Sequence, residues 1–585
     1  MMYNVEDNDL PRILINDKLL KGGVFNATVS ADMPERVISI GQKGIMVIES
    51  EVEKDGLHLQ RTYFPSVDKP VAIEKLLFTN GTTKPVKIEM EYMKREVRPA
   101  LERTSNGPIS FIISTIGEGL KMLRPGDSVA FAIAYQATRG NEPPLNVVVN
   151  HEEQLRKDRV THIQSKLVLE TPDPVLNTMF AFAKIRATES IYNTKAGLMH
   201  GPGGLRYYAA VWANDQAEYI NPFFAFLGDT IGNKAAMNTY RLFAKYMNLA
   251  YTPLPAAIIA EADSTTSVAG DRGDMAMIAY GAGRFSLAYG NADSARVLWP
   301  LIQWCLEYCK RKINDEGVVS SKSDELENRF PAGSANLNTS SLYYDALRSA
   351  VMLGKQLGNP ASQLSQYEQQ AQAIRKNIEK YFGATVEGFR TYRYYKGNDT
   401  LRSWITTPLV MDILKRKEGT IAALFSPRLW TEDGLATLAG NKTFWDRSTL
   451  YGLRGAFAAG ETEKALRFLQ YYSKRRLLGE HVPYAVEAYP EGNQRHLSAE
   501  SGLYCRIYTE GLFGMRPTGF HTFDMNPRLP KAWNRMALKR IHAFQSEFDM
   551  EVARAGKDKL SIKIIKSGTT KRYIIKTGAT QKIQL

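Results

Sequence analysis

The sequence predicts a protein of three parts: an N-terminal β-sandwich, a central (α/α)6 toroid of six helical hairpins and a short C-terminal β-domain. Hydrophobic residues alternate as in strands up to about residue 154, repeat as in amphipathic helices to about residue 513, and alternate again from Pro517. We therefore divide the chain into domains 1–165, 166–515 and 516–585. With 585 residues, 44% of them hydrophobic and 23% charged, the chain can bury a large core.

Short apolar runs between turn signals predict the strands of the first part. Asn80-Gly81 is typical of a two-residue hairpin. A polar, basic connector at about 151–165 separates this part from the helices. The strand-like runs are Val37–Ile40, Gly44–Ile48, Val86–Met90 and Val129–Ile133.

Twelve segments of helical periodicity predict the central part, because twelve helices make six hairpins. We expect Asn338-Thr339 to cap one helix start and Gly358–Pro360 to stop that helix. The segments are Pro174–Tyr192, Asp215–Leu227, Asn233–Met247, Gly273–Tyr289, Ala292–Arg311, Asn338–Leu357, Pro360–Phe382, Arg402–Leu414, Thr420–Phe425, Ser448–Ala459, Thr462–Tyr472 and Ser498–Leu512.

Composition excludes several classes of protein. No run approaches 18 apolar residues, and residues 1–20 lack the apolar core of a secretory signal. At face value this predicts a cytoplasmic protein, or a periplasmic or secreted one if a signal has been removed. Three cysteines cannot form a disulfide framework, and Cys305 and Cys309 have no second Cys/His pair nearby for zinc, so we expect buried thiols, no metal and no cofactor.

The net charge of +14 raises the question of nucleic acid as a partner. From Arg554 onward there are nine Lys or Arg and one Asp, in a segment that alternates like strands at Leu560–Ile565 and Tyr573–Ile575. No nucleic-acid-binding motif accompanies this charge, so we interpret it as the solvated face of a terminal sheet. An anionic glycan remains open as a substrate.

An acidic loop between two helical segments points to the chemistry. Ser323–Arg329 contains Asp324, Glu325 and Glu327, and a polar helix start at Ala335–Ser341 follows. A carboxyl on a rim loop of a helical barrel is placed to protonate the oxygen of a glycosidic bond. The loop therefore predicts a reaction on sugars.

Three stretches resemble a known group of families. Val211–Pro222, with Trp212 and Asp215, resembles the tryptophan/aspartate helix entry of glucoamylases and of the maltose/kojibiose phosphorylase group. Asp324-Glu325 followed by Asn336–Thr339 is similar to the acidic pair and helix start of the phosphorylase group. Gly511–Pro517 and Asn526–Trp533 resemble the junction of these enzymes with a C-terminal β-domain.

The resemblance implies a six-hairpin glycosidase in which Glu325 is the general acid and Asp215 binds hydroxyls of the nonreducing sugar. It does not imply a particular substrate. The segment 481–496, between the last two helices, mixes aromatic and polar residues as a sugar-binding rim does. Glu487 in this segment is the candidate general base and corresponds roughly to the glucoamylase base, while Glu491 and Glu500 compete for the role.

An inverting pair needs its two carboxyl groups about 6.5–9.5 Å apart. We take Glu325 and Glu487 as that catalytic pair. The candidate substrate-binding residues are Trp212, Asp215, Asp324, Glu327, Arg329, Trp404 and Arg495.

The acidic candidates have structural alternatives. The loop carboxylates could be a solvated loop paired with Arg329 and Lys322. Asp215 could be a helix-terminal carboxylate that interacts with the helix dipole.

Other candidates have alternatives as well. Trp212, Trp404 and Trp445 could be core aromatics, and His481 and His496 structural histidines. Arg393, Arg402 and Arg495 could bind a uronate or sulfate, or could pair with Asp399, Glu491 or Glu500.

The sequence thus predicts hydrolysis of a glycosidic bond in an oligo- or polysaccharide, with inversion. An inverting phosphorylase and a non-catalytic carbohydrate-binding protein are the alternatives. Carboxyls that face each other across a pocket favour hydrolysis, whereas a Ser/Thr/His/Arg pocket opposite Glu325 favours phosphorolysis. The sugar, the anomeric configuration, the linkage, exo or endo action and the oligomeric state do not follow from the residues.

Overall fold

A computed structural model of the chain describes residues 10–21, 33–52, 56–97, 109–139, 142–202, 209–478, 485, 488–489 and 498–585. It has N-terminal sheets, a central helical region and C-terminal sheets, in the predicted order. Two compact units emerge from its internal packing, residues 1–163 and 164–585. Within the described ranges, no helix is both long and apolar enough to cross a membrane.

The first unit contains an 11-stranded sheet with the order β10-β7-β1-β2-β3-β4-β5-β6-β11-β9-β8. Side chains along β7 alternate between buried and half-buried, which explains the period of two in the sequence. The buried side chains include Ile15, Leu59 and Phe78. The strands are β1 Ile13–Ile15, β2 Lys18–Lys21, β3 Met33–Gln42, β4 Met46–Val52, β5 Leu57–Pro65, β6 Val71–Asn80, β7 Val86–Met90, β8 Lys94–Val97, β9 Ile109–Ile116, β10 Gly119–Leu123 and β11 Ser128–Arg139.

The predicted connector at 151–165 is helical, because Val149–Ser165 forms helix α1. Its buried positions have helical spacing, but two of the four are charged: Glu152, Arg156, Val160 and Ile163. The Glu152 carboxylate accepts a 2.7 Å hydrogen bond from Ser66, and Arg156 donates to the Gly44 carbonyl. Hydrophobic periodicity misses a helix that binds its neighbours through charged groups.

Twelve further helices lie among the described residues of the second unit. They are α2 Pro174–Glu189, α3 Asn221–Leu227, α4 Thr230–Ala244, α5 Asp274–Tyr289, α6 Ala292–Arg311, α7 Leu337–Leu357, α8 Ala361–Tyr381, α9 Thr407–Val410, α10 Lys417–Leu424, α11 Asp446–Ala459, α12 Thr462–Leu478 and α13 Ser498–Arg506. A π-helical segment, Ala213–Ile220, precedes α3, and another, Ile507–Leu512, follows α13. Short 3-10 turns occupy Ala260–Ala262 and Ser403–Thr406.

Two helix ends differ from the prediction. The cap of α7 is Asn336, whose side chain accepts a hydrogen bond from the Thr339 amide at 2.9 Å, so the helix starts at Leu337 rather than after Asn338-Thr339. The segment predicted as one helix over Arg402–Leu414 is a 3-10 turn followed by the four-residue helix α9, and the chain turns at Asp412, whose φ is 65°.

Strands in the second unit form small sheets between the helices and a larger one near the C-terminus, with the order β12-β26-β27-β28-β29. The predicted strands Leu560–Ile565 and Tyr573–Ile575 are confirmed as parts of β28 and β29. The strands are β12 Val168–Glu170, β13 Ile191–Thr194, β14 Gly197–His200, β15 Ala210–Trp212, β16 Ala257–Ile259, β17 Ser264–Thr266, β18 Gly383–Val386, β19 Phe389–Tyr392, β20 Trp430–Thr431, β21 Gly434–Leu435, β22 Phe444–Trp445, β23 Ala488–Tyr489, β24 Met515–Gly519, β25 Thr522–Met525, β26 Arg535–Ala543, β27 Ser546–Arg554, β28 Lys559–Lys566, β29 Thr569–Lys576 and β30 Gln581–Gln584.

Candidate active site

The acidic loop is buried, so the alternative of a solvated loop is wrong for Asp324 and Glu325, which are 0% and 3% exposed. Asp324 accepts hydrogen bonds from the Leu326 amide and the Tyr394 hydroxyl, both at 2.9 Å. Arg402 lies 3.4 Å from the same carboxylate. Asp324 therefore fixes the backbone on either side of Glu325, and among the described residues Arg402 pairs with Asp324.

Further bonds anchor the start of this loop. The Asn336 amide group donates to the Ser323 carbonyl at 3.1 Å, and the Ser323 amide donates to the Asp271 carbonyl. Glu327 and Asn328 have φ angles of 58° and 64°, in the left-handed region, where the chain turns. The hydrogen bonds of Ser323 and the turn at Glu327 and Asn328 hold Glu325 in one position.

Arg447, in the first turn of α11, connects three carboxylates from different parts of the chain. It donates to Glu500 of α13 at 2.6 Å, to Glu325 at 3.2 Å and to Asp215 of the first π-helical segment at 3.4 Å. Arg447 and Glu500 are 1% and 0% exposed. One buried guanidinium thus brings together the predicted acid, the predicted sugar-binding Asp and one of the three candidate bases.

Aromatic rings fix the orientation of this guanidinium. The Arg447 guanidinium carbon lies 5.2 Å from the centre of the Tyr219 ring and 4.9 Å from the Trp445 ring. Arg329, from the acidic loop, lies over Trp445 as well, at 4.9 Å. Cation–π contacts of desolvated arginines are worth about 2 kcal/mol, so the rings resist displacement of Arg447.

A second contact lies one helical turn further along the same two segments. Tyr451, four residues after Arg447, donates a hydrogen bond to Glu218, three residues after Asp215. Both side chains are buried, at 3% and 1% exposed. The ring of Trp404 packs against Tyr451, with centroids 6.1 Å apart.

Burial and neighbouring charges change the pKa values of the Glu325 and Glu218 carboxyls. Burial raises the pKa of Glu325 well above its usual range; Arg447 opposes the shift, and the carboxylates of Glu218 and Asp215 add to it. Burial raises the pKa of Glu218 as well, against the hydrogen bond from Tyr451. A carboxyl with a raised pKa keeps its proton near neutral pH, as a general acid must.

Other predicted binding residues surround Arg272, which is 0% exposed. This guanidinium binds Asp274 at 2.7 Å and Glu327 at 3.1 Å, and it lies 5.4 Å from the Trp212 ring. Trp212 is half-buried, so part of its ring reaches the surface. Glu327 and Trp212 therefore share one cation beside the acidic loop.

Several buried polar atoms of the site make no hydrogen bond to another described residue: Glu218 Oε2, Trp404 Nε1 and Trp445 Nε1. Both tryptophans are 2% exposed, which agrees with the core alternative for these rings. Buried donors and acceptors in native proteins are nearly always paired. The two indole N–H groups are therefore suited to donate to the hydroxyls of a ligand.

Some predicted residues lie outside the described ranges: Glu487, Glu491 and Arg495, and with them His481 and His496. Arg393 donates to the Tyr381 carbonyl at 2.8 Å. Among the described residues, no group of three or more His, Cys, Asp or Glu side chains could bind a metal ion.

The sequence prediction missed Arg447, Glu218 and Tyr451. Glu218 could have been found, since it lies three residues after Asp215 on a predicted helix and therefore on the same face. Arg447 and Tyr451 give no such signal, because their partners lie 53 to 233 residues away in the chain.

The fold is similar to that of solved carbohydrate-active enzymes. A protein titled as a candidate kojibiose phosphorylase from human microbiome matches with a TM-score of 0.60 and 9% identity, over 99% of this chain and 88% of that one. A bacterial glucoamylase complexed with acarbose matches with a TM-score of 0.56 and 12% identity, over 86% of this chain and 88% of that one.

A third similar structure is an α-L-rhamnosidase from Dictyoglumus thermophilum, with a TM-score of 0.52 and 12% identity over 93% of this chain and 59% of that one. No protein-family model matches the chain, and no curated protein matches it by sequence. At these identities the likeness shows the fold, and it confirms the predicted resemblance to the glucoamylase and kojibiose phosphorylase group.

Proposed function

We propose that the protein is a glycoside hydrolase that cleaves a glycosidic bond with inversion. The observation that carries the proposal is the buried Glu325 carboxyl, with its raised pKa, one guanidinium away from Glu500. Fold similarity to a glucoamylase and a rhamnosidase supports it.

The same similarity supports an (α/α)6 toroid for the central helices, with a β-sandwich before it and a β-domain after it. Twelve helices, α2 to α13, fit six hairpins. We propose the domain boundaries 1–165, 166–515 and 516–585. In this arrangement the loops that join the hairpins carry Glu325 to one rim.

Glu325 acts as the general acid. It gives its proton to the glycosidic oxygen as the bond from that oxygen to the anomeric carbon breaks. A water molecule attacks the anomeric carbon from the opposite face and gives its proton to the general base. After one turnover the general acid is ionised and the general base is protonated. Proton exchange with solvent restores both groups.

Two carboxylates are candidates for the base. Glu487 remains the candidate from the sequence. Glu500 has the support of geometry: because Glu325 Oε2 and Glu500 Oε1 bind one guanidinium, they lie no more than about 8 Å apart, which is compatible with the ~6.5–9.5 Å of an inverting pair. A variant of each residue decides between them.

The charge balance favours hydrolysis over phosphorolysis. The single charge of Arg447 is shared by Asp215, Glu325 and Glu500, with Glu218 next to them. Even with Glu325 protonated, Asp215 and Glu500 bring two carboxylates to this cluster. A phosphate anion entering it would be repelled, whereas water would not.

We further propose a role for the other predicted residues. Asp215 and Trp404 bind hydroxyls of the nonreducing sugar, and Asp324 positions the acidic loop instead of contacting sugar. The remaining candidates for sugar binding are Trp212, Glu327, Arg329 and Arg495.

A screen of nitrophenyl glycosides and defined oligosaccharides, with and without phosphate, tests the proposal. We expect turnover that does not depend on phosphate, and a product of inverted configuration by proton NMR. Turnover that requires phosphate and yields a sugar 1-phosphate would identify a phosphorylase, and binding without turnover would identify a carbohydrate-binding protein.

The base is tested with Glu487→Ala, Glu500→Ala and Glu491→Ala. The variant that lacks the base loses activity, and azide, which attacks without a base, restores part of it as the glycosyl azide. If none of the three loses activity, inversion by a carboxylate pair is wrong.

A further inference from the structure

Two helical segments face each other with two contacts, one turn apart. Asp215 and Glu218, three residues apart in the π-helical segment Ala213–Ile220, both contact α11. Arg447 and Tyr451, four residues apart, lie on one face of α11. Asp215 binds Arg447 and Glu218 binds Tyr451. Glu218 is therefore fixed next to the guanidinium that binds Glu325.

Among the described residues, no lysine or arginine binds the Glu218 carboxylate directly. Its Oε1 accepts from the Tyr451 hydroxyl, and its Oε2 makes no hydrogen bond to another described residue although the side chain is 1% exposed. A carboxylate that served only to stabilise the fold would be paired, because an unpaired buried charge costs several kcal/mol. Glu218 thus pays a cost in stability that its position beside the site explains.

We propose that Glu218, positioned by Tyr451, adds to burial in keeping the Glu325 carboxyl protonated. The inference rests on the proposed role of Glu325 as general acid. Glu218 acts through Glu325 and does not touch the sugar in this proposal, so it is a positioning residue.

The physical basis is the repulsion between two carboxylates in a dry site. When Glu218 is ionised, loss of the Glu325 proton places a second negative charge beside it, and this raises the free energy of the ionised acid. Arg447 can neutralise one such charge but also binds Asp215 and Glu500. The two carboxyls consequently titrate as a coupled pair that retains one proton over a wide pH range.

Charged and titratable groups on every neighbouring element enter this balance. The π-helical segment contributes Asp215, and the turn before α5 contributes Arg272. The others are Asp324 and Tyr394 beside the acidic loop, Arg447, Tyr451 and Arg454 on α11, Tyr280 on α5, and Glu500, Arg506 and Glu510 on α13 and the segment after it.

Infrared spectroscopy of the full chain measures the effect without a substrate. The carbonyl band of the protonated Glu325 carboxyl is identified by its loss in Glu325→Gln, and its intensity is followed with pH. In Glu218→Gln we expect the midpoint to move to lower pH by about one unit or more, because the neighbouring negative charge is gone. Tyr451→Phe should move it in the same direction, since Glu218 then loses the bond that favours its ionised form.

The matched control is Glu379→Gln. Glu379 also accepts a hydrogen bond from a tyrosine, Tyr392, and binds an arginine, Arg416, but it lies on α8 and has no contact with Glu325. Its substitution should leave the midpoint unchanged. A second readout is the alkaline limb of the pH profile of kcat/KM for a glycoside with a poor leaving group, which should shift in parallel.

The outcomes separate this inference from the proposed function. An unmoved infrared midpoint in Glu218→Gln overturns the inference. Failure of that variant to fold also overturns it, because the charge of Glu218 would then be needed for the structure itself. A moved midpoint in a protein without glycosidase activity supports the coupling and rejects the proposed function. A moved midpoint with a parallel shift of the alkaline limb supports both.

Discussion

Two buried clusters among the described residues of the second unit differ in the ratio of their carboxyl groups to their guanidinium groups. The carboxylate-rich cluster is the candidate site: Asp215, Glu218, Glu325 and Glu500 around Arg447. The arginine-rich cluster is formed by Glu510 and Asp345 with Arg284, Arg454, Arg506 and Arg516. Helix α11 connects the two, because Arg447 and Arg454 lie two turns apart on it.

The pKa values of the two clusters move in opposite directions at the same depth. Burial alone would raise the pKa of Glu510, but Arg454, Arg506 and Arg284 outweigh it and lower the pKa to about 2. Burial raises the pKa of Glu325, and the single Arg447 does not reverse the shift. The cations beside each carboxyl, rather than burial, therefore account for the opposite directions of the two pKa shifts.

The largest expected effect is on catalysis at the carboxylate-rich cluster. Glu325→Gln should lower turnover of glycosides with poor leaving groups by about 10²–10⁴-fold, because protonation of the leaving oxygen is lost. Activated aryl glycosides should lose much less. Initial rates on both classes measure the difference, with Glu316→Gln, a half-exposed partner of Lys396 in the same interhelical stretch, as the control.

Equal loss on good and poor leaving groups would contradict the assignment of Glu325 as acid. No loss on either would transfer the role to Glu327 or Asp324.

The next effect is on stability at the arginine-rich cluster. Glu510→Gln leaves three buried guanidinium groups without their shared carboxylate, and breaking a buried ion pair in this way costs about 3–5 kcal/mol. Glu218→Gln should cost far less, since burial raises the pKa of Glu218 and its ionised form therefore adds little to stability. Urea unfolding of both variants measures the free energies, and equal costs would show that the two clusters do not differ as described.

How far the sequence predicts these clusters depends on the range of the contacts. Local signals predicted the acidic loop, Asp215 and the strands β28 and β29, because turn residues and periodicity act over a few positions. The α1 helix was missed, since half of its buried face is charged. Arg447 could not be predicted, because three contacts made at 53, 122 and 232 residues of separation define its role.

A smaller effect is expected at the partner of Arg447. Asp215→Asn should weaken binding of the nonreducing sugar by roughly 1.5–3 kcal/mol, the value of hydrogen bonds to a charged group. Steady-state kinetics should show this as a raised KM or a lowered kcat/KM. Unchanged kinetics together with a lower Tm would instead assign Asp215 to the helix terminus, the alternative interpretation.

The smallest effect is the opposite pH dependence of the stability that the two clusters contribute. A lowered carboxyl pKa, as at Glu510, contributes stability above the usual value of 4.5 that is lost as the pH falls toward about 2. A raised pKa, as at Glu325, has the other sign: its contribution is complete below 4.5 and is lost as the pH rises through the raised value.

Removal of the titrating group should therefore make Glu325→Gln more stable than the unmodified protein at alkaline pH, by on the order of 1 kcal/mol, but not at about pH 5. Urea unfolding at the two pH values measures the difference. A variant that is less stable at alkaline pH would show that the ionised Glu325 carboxylate stabilises the fold, as Glu510 does, and the contrast between the clusters would be lost.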